Sequence, residues 1–244
     1  MTDLPRAMLI DLDDTIISAY SNPQAAWLEV VTEFSGEIGG LPPDAVTNEI
    51  IAFADAFWAD PEQHRIWRQQ LHEARRAVVQ GTFERIAQQG GPTIAASVPF
   101  ELADRYSDLR EERTHLFPGA IEAIDHFKAA GVLLGLITNG AGPLQRPKID
   151  RFGLEPRFHH IQIEGEHGFG KPEERAYRHA MAALGIEPHE TWMVGDNLEW
   201  EVAAPQRLGI YGVWHDHAGV GLAEGSAVVP DRIIRALSEL VPTA

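Results

Sequence analysis

The 244 residues include no cysteine, which excludes disulfide bonds, thiol catalysis and zinc sites built on thiolates. Basic residues are also scarce: 20 Lys and Arg stand against 36 Asp and Glu, for a formal net charge of −16. This balance argues against a nucleic-acid partner, because contact with a phosphate backbone needs a surface rich in Lys and Arg. An anionic substrate therefore needs a local positive group, such as a metal ion, a single lysine or a helix N-terminus.

Long apolar runs are missing as well. The apolar stretch after residues 1–6 is too short for a signal segment or a membrane span, so we expect a soluble, cytoplasmic protein with no membrane partner. The length and the 44% hydrophobic content suffice for a buried core and a smaller second domain. Monomer and homodimer are both compatible with the sequence.

The second half of the chain alternates between strand and helix patterns, which is typical of repeated βα units in a parallel sheet. Apolar runs at residues 7–10, 132–137, 161–163, 192–194 and 210–214 predict strands, and 228–229 predicts a further short unit. Helices are predicted between them. The last predicted helix contains Ile233, Ile234, Leu237 and Leu240.

The stretch from Ser18 to Arg113 shows only amphipathic helical periodicity, with breaks at residues 22–23, 39–43 and 90–92. It interrupts the βα series directly after the first strand, which favours a separate lid domain over helices that merely cover the sheet. We therefore predict a core domain of residues 1–17 and 114–244 and a helical domain of residues 18–113.

Three carboxylates and a hydroxyl follow the first predicted strand, in the run Asp11-Leu12-Asp13-Asp14-Thr15. Open α/β sheets bind ligands beyond the carboxyl ends of their strands. Two carboxylates one residue apart can hold a hard cation, or divide nucleophilic and acid-base work if their environments separate their pKa values. An acidic turn after a strand is also ordinary turn chemistry, so this run alone leaves both interpretations open.

Three further polar clusters follow later strands, and parallel topology would bring all four into one crevice. Taken singly, each has an ordinary interpretation as a turn, a surface charge or a helix cap. Their order and joint placement favour a functional site. The clusters are Thr138-Asn139-Gly140, Lys171-Pro172 and the run from Gly195 to Glu201.

Together these motifs resemble the haloacid dehalogenase-like superfamily of hydrolases with an aspartate nucleophile, and within it the phosphatase branch. The resemblance covers essentially the whole chain, and its helical C1-type cap, inserted after the first motif, matches residues 18–113. It implies an α/β fold with a Rossmann-like parallel sheet core and an inserted all-helical cap domain. It also implies a Mg²⁺-dependent phosphatase that acts on a small phosphomonoester.

The resemblance assigns the reaction to the first three motifs. Asp11 would attack phosphorus and form an aspartyl-phosphate, while Asp13 would act as general acid and then as general base. Thr138, Asn139 and Lys171 would bind the phosphoryl group, and Lys171 would also hold Asp11. The Mg²⁺ ligands would be Asp11, Asp196 and the backbone carbonyl of Asp13. The supporting residues would be Glu201, Asn197 and Thr15.

Two positions depart from the family pattern. Glu201 stands where Asp is usual, and its extra methylene changes its reach by ~1.5 Å. We therefore expect Glu201 to orient Lys171 or a metal-bound water rather than to bind the metal. Asp14 stands where relatives often carry Gly or Asn, and we expect it to cap the following turn.

Other activities on the same fold remain alternatives. A 2-haloacid dehalogenase needs neither metal nor general acid, and its relatives typically carry an aromatic residue at the position of Asp13. The presence of Asp13 and Asp196 therefore favours phosphoryl transfer. A phosphonate hydrolase needs a lysine in the cap, and residues 18–113 contain none. A sugar-phosphate mutase and a binding module without turnover stay open.

The helical segment concentrates basic side chains at residues 64–68 and at His72, Arg75 and Arg76. They are candidates for contact with a second anionic group of a substrate. The interpretation we favour is a solvated helix face whose basic residues pair internally with Glu62, Glu73 and Glu84.

Overall fold

The computed structural model describes residues 4–19 and 22–242. The chain divides into two compact units. The core unit consists of Met1–Ser18 and His115–Ala244, and the helical unit consists of Ala19–Thr114. The predicted division lies one residue away at each boundary, and the prediction that the helical unit acts as a lid stays a prediction.

The strands of the core unit are β1 (Ala7–Ile10), β2 (Ile17–Ser18), β3 (His115–Leu116), β4 (Leu133–Thr138), β5 (His160–Ile163), β6 (Thr191–Gly195), β7 (Tyr211–His215) and β8 (Arg232–Ile234). Six of them form one sheet, in the order β5-β4-β1-β6-β7-β8, and all of its pairings are parallel. Strands β2 and β3 pair separately and antiparallel. The predicted parallel α/β sheet is confirmed.

Helices occur in both units. Those of the helical unit are α1 (Pro23–Glu33), α2 (Pro43–Ala59), α3 (Pro61–Trp67), α4 (Leu71–Gln88) and α5 (Val98–Arg113). Those of the core unit are α6 (Ala120–Ala129), α7 (Gly142–Arg151), α8 (Glu164–His167), α9 (Glu174–Leu184) and α10 (Ala204–Arg207).

Strand β1 lies at the centre of the sheet, and this position determines where the site forms. All four of its residues are buried, as expected for a strand covered on both faces. Ile10 pairs with Leu136 of β4 on one side and with Val194 of β6 on the other. Asp11, the next residue, therefore emerges between the carboxyl ends of β4 and β6.

The C-terminal prediction is wrong in two respects. Residues 228–229 form no strand, and Ile233 and Ile234 belong to β8 rather than to a helix. Within the predicted C-terminal helix, Leu237–Leu240 alone adopt a helical conformation, as a short 3₁₀ segment. The carboxylate of Glu239 accepts the backbone N–H groups of residues 235 and 236 at 2.8 and 3.0 Å, so the chain turns where a continuous helix was expected.

The helical unit has its own hydrophobic core. It is built on Val30, Ile50, Val79 and Leu102, which are fully or almost fully buried. Beside them the rings of Trp27 and Tyr106 stack with centroids 3.5 Å apart. Among the described residues, no helix is both long and apolar enough to cross a membrane.

Candidate active site

Asp11 is held by a buried lysine at the carboxyl end of β1. Its Oδ1 lies 2.5 Å from Nζ of Lys171, and its Oδ2 accepts the hydroxyl hydrogen of Thr15 at 3.1 Å. The side chains of Asp11 and Lys171 are 9% and 1% exposed. Burial raises the pKa of the Asp11 carboxyl, and the charge of Lys171 opposes this shift. The structure thus brings these three predicted site residues together.

Lys171 has a second buried acidic partner in Glu201. Its Nζ lies 2.7 Å from Oε1 of Glu201, and Oε2 accepts the backbone N–H of Asn197 at 2.8 Å. Burial alone lowers the pKa of Lys171, but attraction to Asp11 and Glu201 outweighs it and raises the pKa above its ordinary value. Burial raises the pKa of Glu201 to about 7, although Lys171 opposes the shift. Both oxygens of Glu201 are therefore engaged by nitrogen donors.

Tight packing after β6 brings Glu201 to Lys171. A Cβ at Gly195 would lie 2.0 Å from Cγ of Glu201, so this position has no room for a side chain. Leu198–Ala203 form a π-helical segment, a conformation often found at functional sites. The hydroxyl of Tyr177 donates to the carbonyl of Trp200 at 2.5 Å and ties this segment to α9. Tyr177 is not among the predicted site residues.

Asn139 connects the end of β4 to Lys171. Its Oδ1 accepts the backbone N–H of Lys171 at 2.8 Å, and its Nδ2 donates to the Lys171 carbonyl at 2.7 Å. Lys171 follows β5 only after the intervening helix α8, so the interpretation that it stands just beyond a strand missed this element. The two bonds to Asn139 tie the Lys171 backbone to the end of β4 instead.

Thr138 and Asp13 share a donor, Gln145, that is not among the predicted site residues. Nε2 of Gln145, on α7, lies 2.7 Å from Oδ2 of Asp13 and 2.7 Å from Oγ1 of Thr138. One helical turn later, Nζ of Lys148 lies 2.7 Å from Oδ1 of Asp13. The available signal was the spacing of Gln145 and Lys148, which places both on one face of the helix that follows Thr138.

Asp196 lies among other acids. Burial raises its pKa to about 8, with further contributions from the negative charges of Asp11 and Glu201. Its backbone carbonyl accepts the indole N–H of Trp214 at 2.7 Å, which fixes the turn after β6. In the described part of the chain, no hydrogen-bond donor is paired with the Asp196 carboxyl. This carboxyl therefore faces a surplus of negative charge.

Asp14 has a left-handed backbone conformation, with a φ of 58°. Gly and Asn adopt this conformation most readily, and Asp also tolerates it. Its carbonyl lies 2.9 Å from Nδ1 of the buried His215. Asp14 therefore belongs to the turn after Leu12, where the backbone conformation determines which residues are tolerated.

The basic residues of the helical unit pair within that unit. Arg65 forms two hydrogen bonds with Glu62, as the favoured interpretation predicted. Arg76 instead makes a bidentate pair with Asp104 on α5, at 2.7 and 2.6 Å. The guanidinium of Arg75 lies 5.4 Å from the ring centre of Tyr106. Much of the local positive charge is thus matched by internal partners.

Several known proteins are similar to this chain in sequence. A family model described as haloacid dehalogenase-like hydrolase matches residues 5–209. A phosphoserine phosphatase of Thermus thermophilus is 36% identical over 66% of the chain, and this match spans 57% of that relative's length. A glyceraldehyde 3-phosphate phosphatase of Pyrococcus furiosus is 25% identical over 86% of the chain and 80% of its own length.

A solved structure has the same fold. The HAD-hydrolase YfnB of Bacillus subtilis, in a form bound to magnesium, superposes with a TM-score of 0.71 at 22% identity. The superposition covers 98% of this chain and 97% of YfnB. At this level of identity the likeness establishes the architecture.

Proposed function

This chain belongs to the haloacid dehalogenase-like hydrolases, and we propose that it hydrolyses a small phosphomonoester through an aspartyl-phosphate on Asp11. The observation that carries the proposal is the separate anchoring of two carboxylates at the end of β1. Asp11 is held by Lys171, and Asp13 by Lys148 and Gln145. Two carboxyl groups in different environments suit a reaction that needs both a nucleophile and a proton donor. The phosphatase names of the two relatives support the same class of substrate.

In the first half-reaction, a carboxylate oxygen of Asp11 attacks phosphorus in line with the leaving oxygen. The new bond joins this oxygen to phosphorus while the bond from phosphorus to the leaving oxygen breaks. The carboxyl of Asp13 gives its proton to the leaving oxygen, so that an alcohol departs.

In the second half-reaction, a water molecule attacks the aspartyl-phosphate. Asp13, now a carboxylate, takes a proton from this water as its oxygen bonds to phosphorus. The bond between phosphorus and Asp11 breaks, which releases inorganic phosphate and restores the Asp11 carboxylate. The first half-reaction moves the Asp13 proton to the alcohol, and the second returns a proton from water to Asp13, so the cycle closes.

Lys171 holds the nucleophile and offsets the charge that gathers when a phosphate approaches a carboxylate. Glu201 and Asn139 hold Lys171, through its ammonium and its backbone respectively. The hydroxyl of Thr138 lies at the end of the neighbouring strand and would donate to a phosphoryl oxygen. Both ends of the Asn139 amide bind the Lys171 backbone. Among the residues that bind phosphate, we therefore assign Asn139 the role of positioning Lys171.

The residues present fit a magnesium ion. The described residues contain no ready cluster of three acidic or histidine side chains, so the site would use fewer side chains and a backbone oxygen. The donors would be the carboxylates of Asp11 and Asp196 and the carbonyl of Asp13, all hard oxygen ligands. No hydrogen-bond donor among the described residues pairs with the Asp196 carboxyl, and the nearby acids raise its pKa, which supports this assignment. When bound, the ion would neutralise charge on the phosphoryl oxygens.

The test is phosphate release from a panel of small phosphomonoesters, with Mg²⁺ or with EDTA, by the wild-type chain and by Asp11→Asn. We expect magnesium-dependent release that the substitution lowers by at least about 10³-fold, because the nucleophile is lost while the fold is kept. Release of halide from a 2-haloacid without metal, and no release of phosphate, would instead support the dehalogenase. Retained phosphate release by Asp11→Asn would also reject the proposal.

A further inference from the structure

The whole sequence contains three lysines, and two of them pair with two of the three acids of the first motif. Lys171 pairs with Asp11, and Lys148 pairs with Asp13. The third, Lys128 on α6, donates to the carbonyl of Pro156. In a chain with so few lysines, the pair between Lys148 and Asp13 calls for an explanation of its own.

Lys148 and Gln145 hold opposite oxygens of the same carboxylate. Nζ of Lys148 is 2.7 Å from Oδ1 of Asp13, and Nε2 of Gln145 is 2.7 Å from Oδ2. The two donors lie one turn apart on α7 and share one helix face. A carboxylate bound at both oxygens from one rigid element is fixed in direction as well as in place.

Gln145 also connects Asp13 to the neighbouring strand end. Its Nε2 lies 2.7 Å from Oγ1 of Thr138 and 3.0 Å from the carbonyl oxygen of Asn139. A carboxylate and a carbonyl can only accept hydrogen bonds, so the nitrogen of this amide must face them. Gln145 is almost fully buried, which keeps this orientation.

We propose that Gln145 and Lys148 are positioning residues that hold Asp13 for proton transfer to the leaving oxygen. The inference rests on the proposed function, in which Asp13 is the acid and base. Proton transfer depends on placement, since a shift of about 1 Å at a reacting group can lower a rate about 10²-fold. Through Gln145, the carboxyl of Asp13 and the hydroxyl of Thr138 keep a fixed separation across the crevice.

A merely structural pair would behave differently. The side chains of Lys148 and Asp13 are 22% and 16% exposed, and ion pairs that retain contact with water contribute little to stability. Loss of Lys148 should therefore affect the reaction far more than the fold. Its effect should also depend on whether the leaving group needs a proton.

The experiment compares kcat/KM for two esters, an alkyl phosphate and 4-nitrophenyl phosphate, in wild type, Lys148→Met, Lys148→Arg and Gln145→Leu. The value of kcat/KM reports the steps up to phosphoenzyme formation, where Asp13 donates its proton. An alkoxide leaves with difficulty unless it is protonated, whereas 4-nitrophenolate leaves readily without a proton. We expect Lys148→Met and Gln145→Leu to lower the alkyl value about 10²-fold and the nitrophenyl value by less than about threefold.

Three controls separate positioning from other roles. Lys148→Arg should recover most of the alkyl activity because it keeps the donor and its charge. Lys128→Met, which removes a lysine that pairs outside the site, should match wild type. In an Asp13→Asn background, Lys148→Met should cause little further loss, because residues that act as a unit are not additive. Melting temperatures of all variants report whether each one folds.

Equal losses for both esters, or full additivity with Asp13→Asn, would overturn the inference. So would unchanged kinetics of Lys148→Met and Gln145→Leu. Those outcomes leave the proposed function intact, provided that wild type turns over and Asp13→Asn shows the leaving-group dependence. If wild type releases phosphate from neither ester nor from any other phosphomonoester, the proposed function fails and the inference fails with it.

Discussion

The side-chain amide of Asn139 is bonded at both ends to the backbone of Lys171, at 2.8 Å from the N–H and 2.7 Å from the carbonyl. The two residues are 32 positions apart in the sequence, and α8 lies between them in the chain. This contact ties the loop that carries Lys171 to the strand next to Asp11. The position of a buried ammonium in this site thus depends on an amide that need not touch the substrate.

Asn139→Ala should therefore weaken both the fold and the reaction. We expect a loss of about 1–3 kcal/mol in the free energy of unfolding, because two backbone groups of Lys171 lose their partners. The accompanying shift of Lys171 should lower kcat about 10²-fold. Urea unfolding and steady-state kinetics measure the two effects. Asn139→Asp keeps the acceptor and loses the donor, so it should lie between wild type and Asn139→Ala, and a normal kcat in both variants would contradict the argument.

Gly195→Ala should displace Glu201. The added Cβ would lie 2.0 Å from Cγ of Glu201, far inside contact distance, and no flexible end is available to move because Glu201 is fully buried. We expect a loss of about 1–3 kcal/mol in the free energy of unfolding and a clear drop in kcat. Gly36→Ala, where no atom lies within 4 Å of the added Cβ, is the matched control. Equal stability of the two variants would show that the chain after β6 adapts easily.

Glu201→Gln should separate support of Lys171 from metal binding. Glu201 accepts from Lys171 with one oxygen and from the N–H of Asn197 with the other, and an amide can satisfy only one of them. We expect the free energy of unfolding to fall by about 1–3 kcal/mol and kcat to fall with it. The Mg²⁺ concentration for half-maximal activity should stay close to the wild-type value. In Asp196→Asn that concentration should rise at least about tenfold, and a similar rise in Glu201→Gln would make Glu201 a metal ligand.

The sequence was sufficient for the parallel sheet because its strands are short apolar runs separated by clear helical periods. It was also sufficient to predict that Asp11, Thr138 and Asp196 lie at one edge of the sheet, since parallel strands put their carboxyl ends on the same side. The register confirms the reason: Ile10 pairs with both Leu136 and Val194.

The parts that the sequence missed depend on contacts between side chains that are distant in the chain. Gln145 is not among the predicted site residues, because its spacing from Lys148 indicates only a shared helix face; its bonds to Asp13 and Thr138 are seen in the structure. The sequence pattern predicts a helix at β8 because Ile233 and Ile234 are adjacent, and adjacent apolar residues fit either period. Parallel pairing of Arg232–Ile234 with Val213–His215 makes this segment a strand.

Removal of divalent cations should make stability fall as the pH rises from 7 to 9. Burial raises the pKa of Asp196 to about 8 and that of Glu201 to about 7. A carboxyl whose pKa is raised in the folded state contributes stability at pH values below its ordinary pKa. That contribution is lost as the pH passes through the raised value.

Burial also raises the pKa of Asp11, so its titration acts in the same direction. The pKa of Asp104 is lowered by its hydrogen bonds with Arg76, and burial lowers the pKa of His160 and His215, so all three change charge below pH 7. The free energy of unfolding in EDTA, measured with urea at pH 7, 8 and 9, should thus decline through the buried carboxyls of the site. Asp196→Asn lacks one of these carboxyls and should show a flatter profile.

Magnesium should reverse the trend, because a cation favours the ionised carboxylates that high pH produces. At a Mg²⁺ concentration of 100 times the Kd measured at pH 7, the folded state should gain about 2.7 kcal/mol at pH 7, and the same concentration should give a larger gain at pH 9. Asp196→Asn should lose most of it. A stability that rises with pH in EDTA, or a gain from Mg²⁺ that is the same in Asp196→Asn, would mean that the crowded carboxyls after β1 and β6 are not where the metal binds.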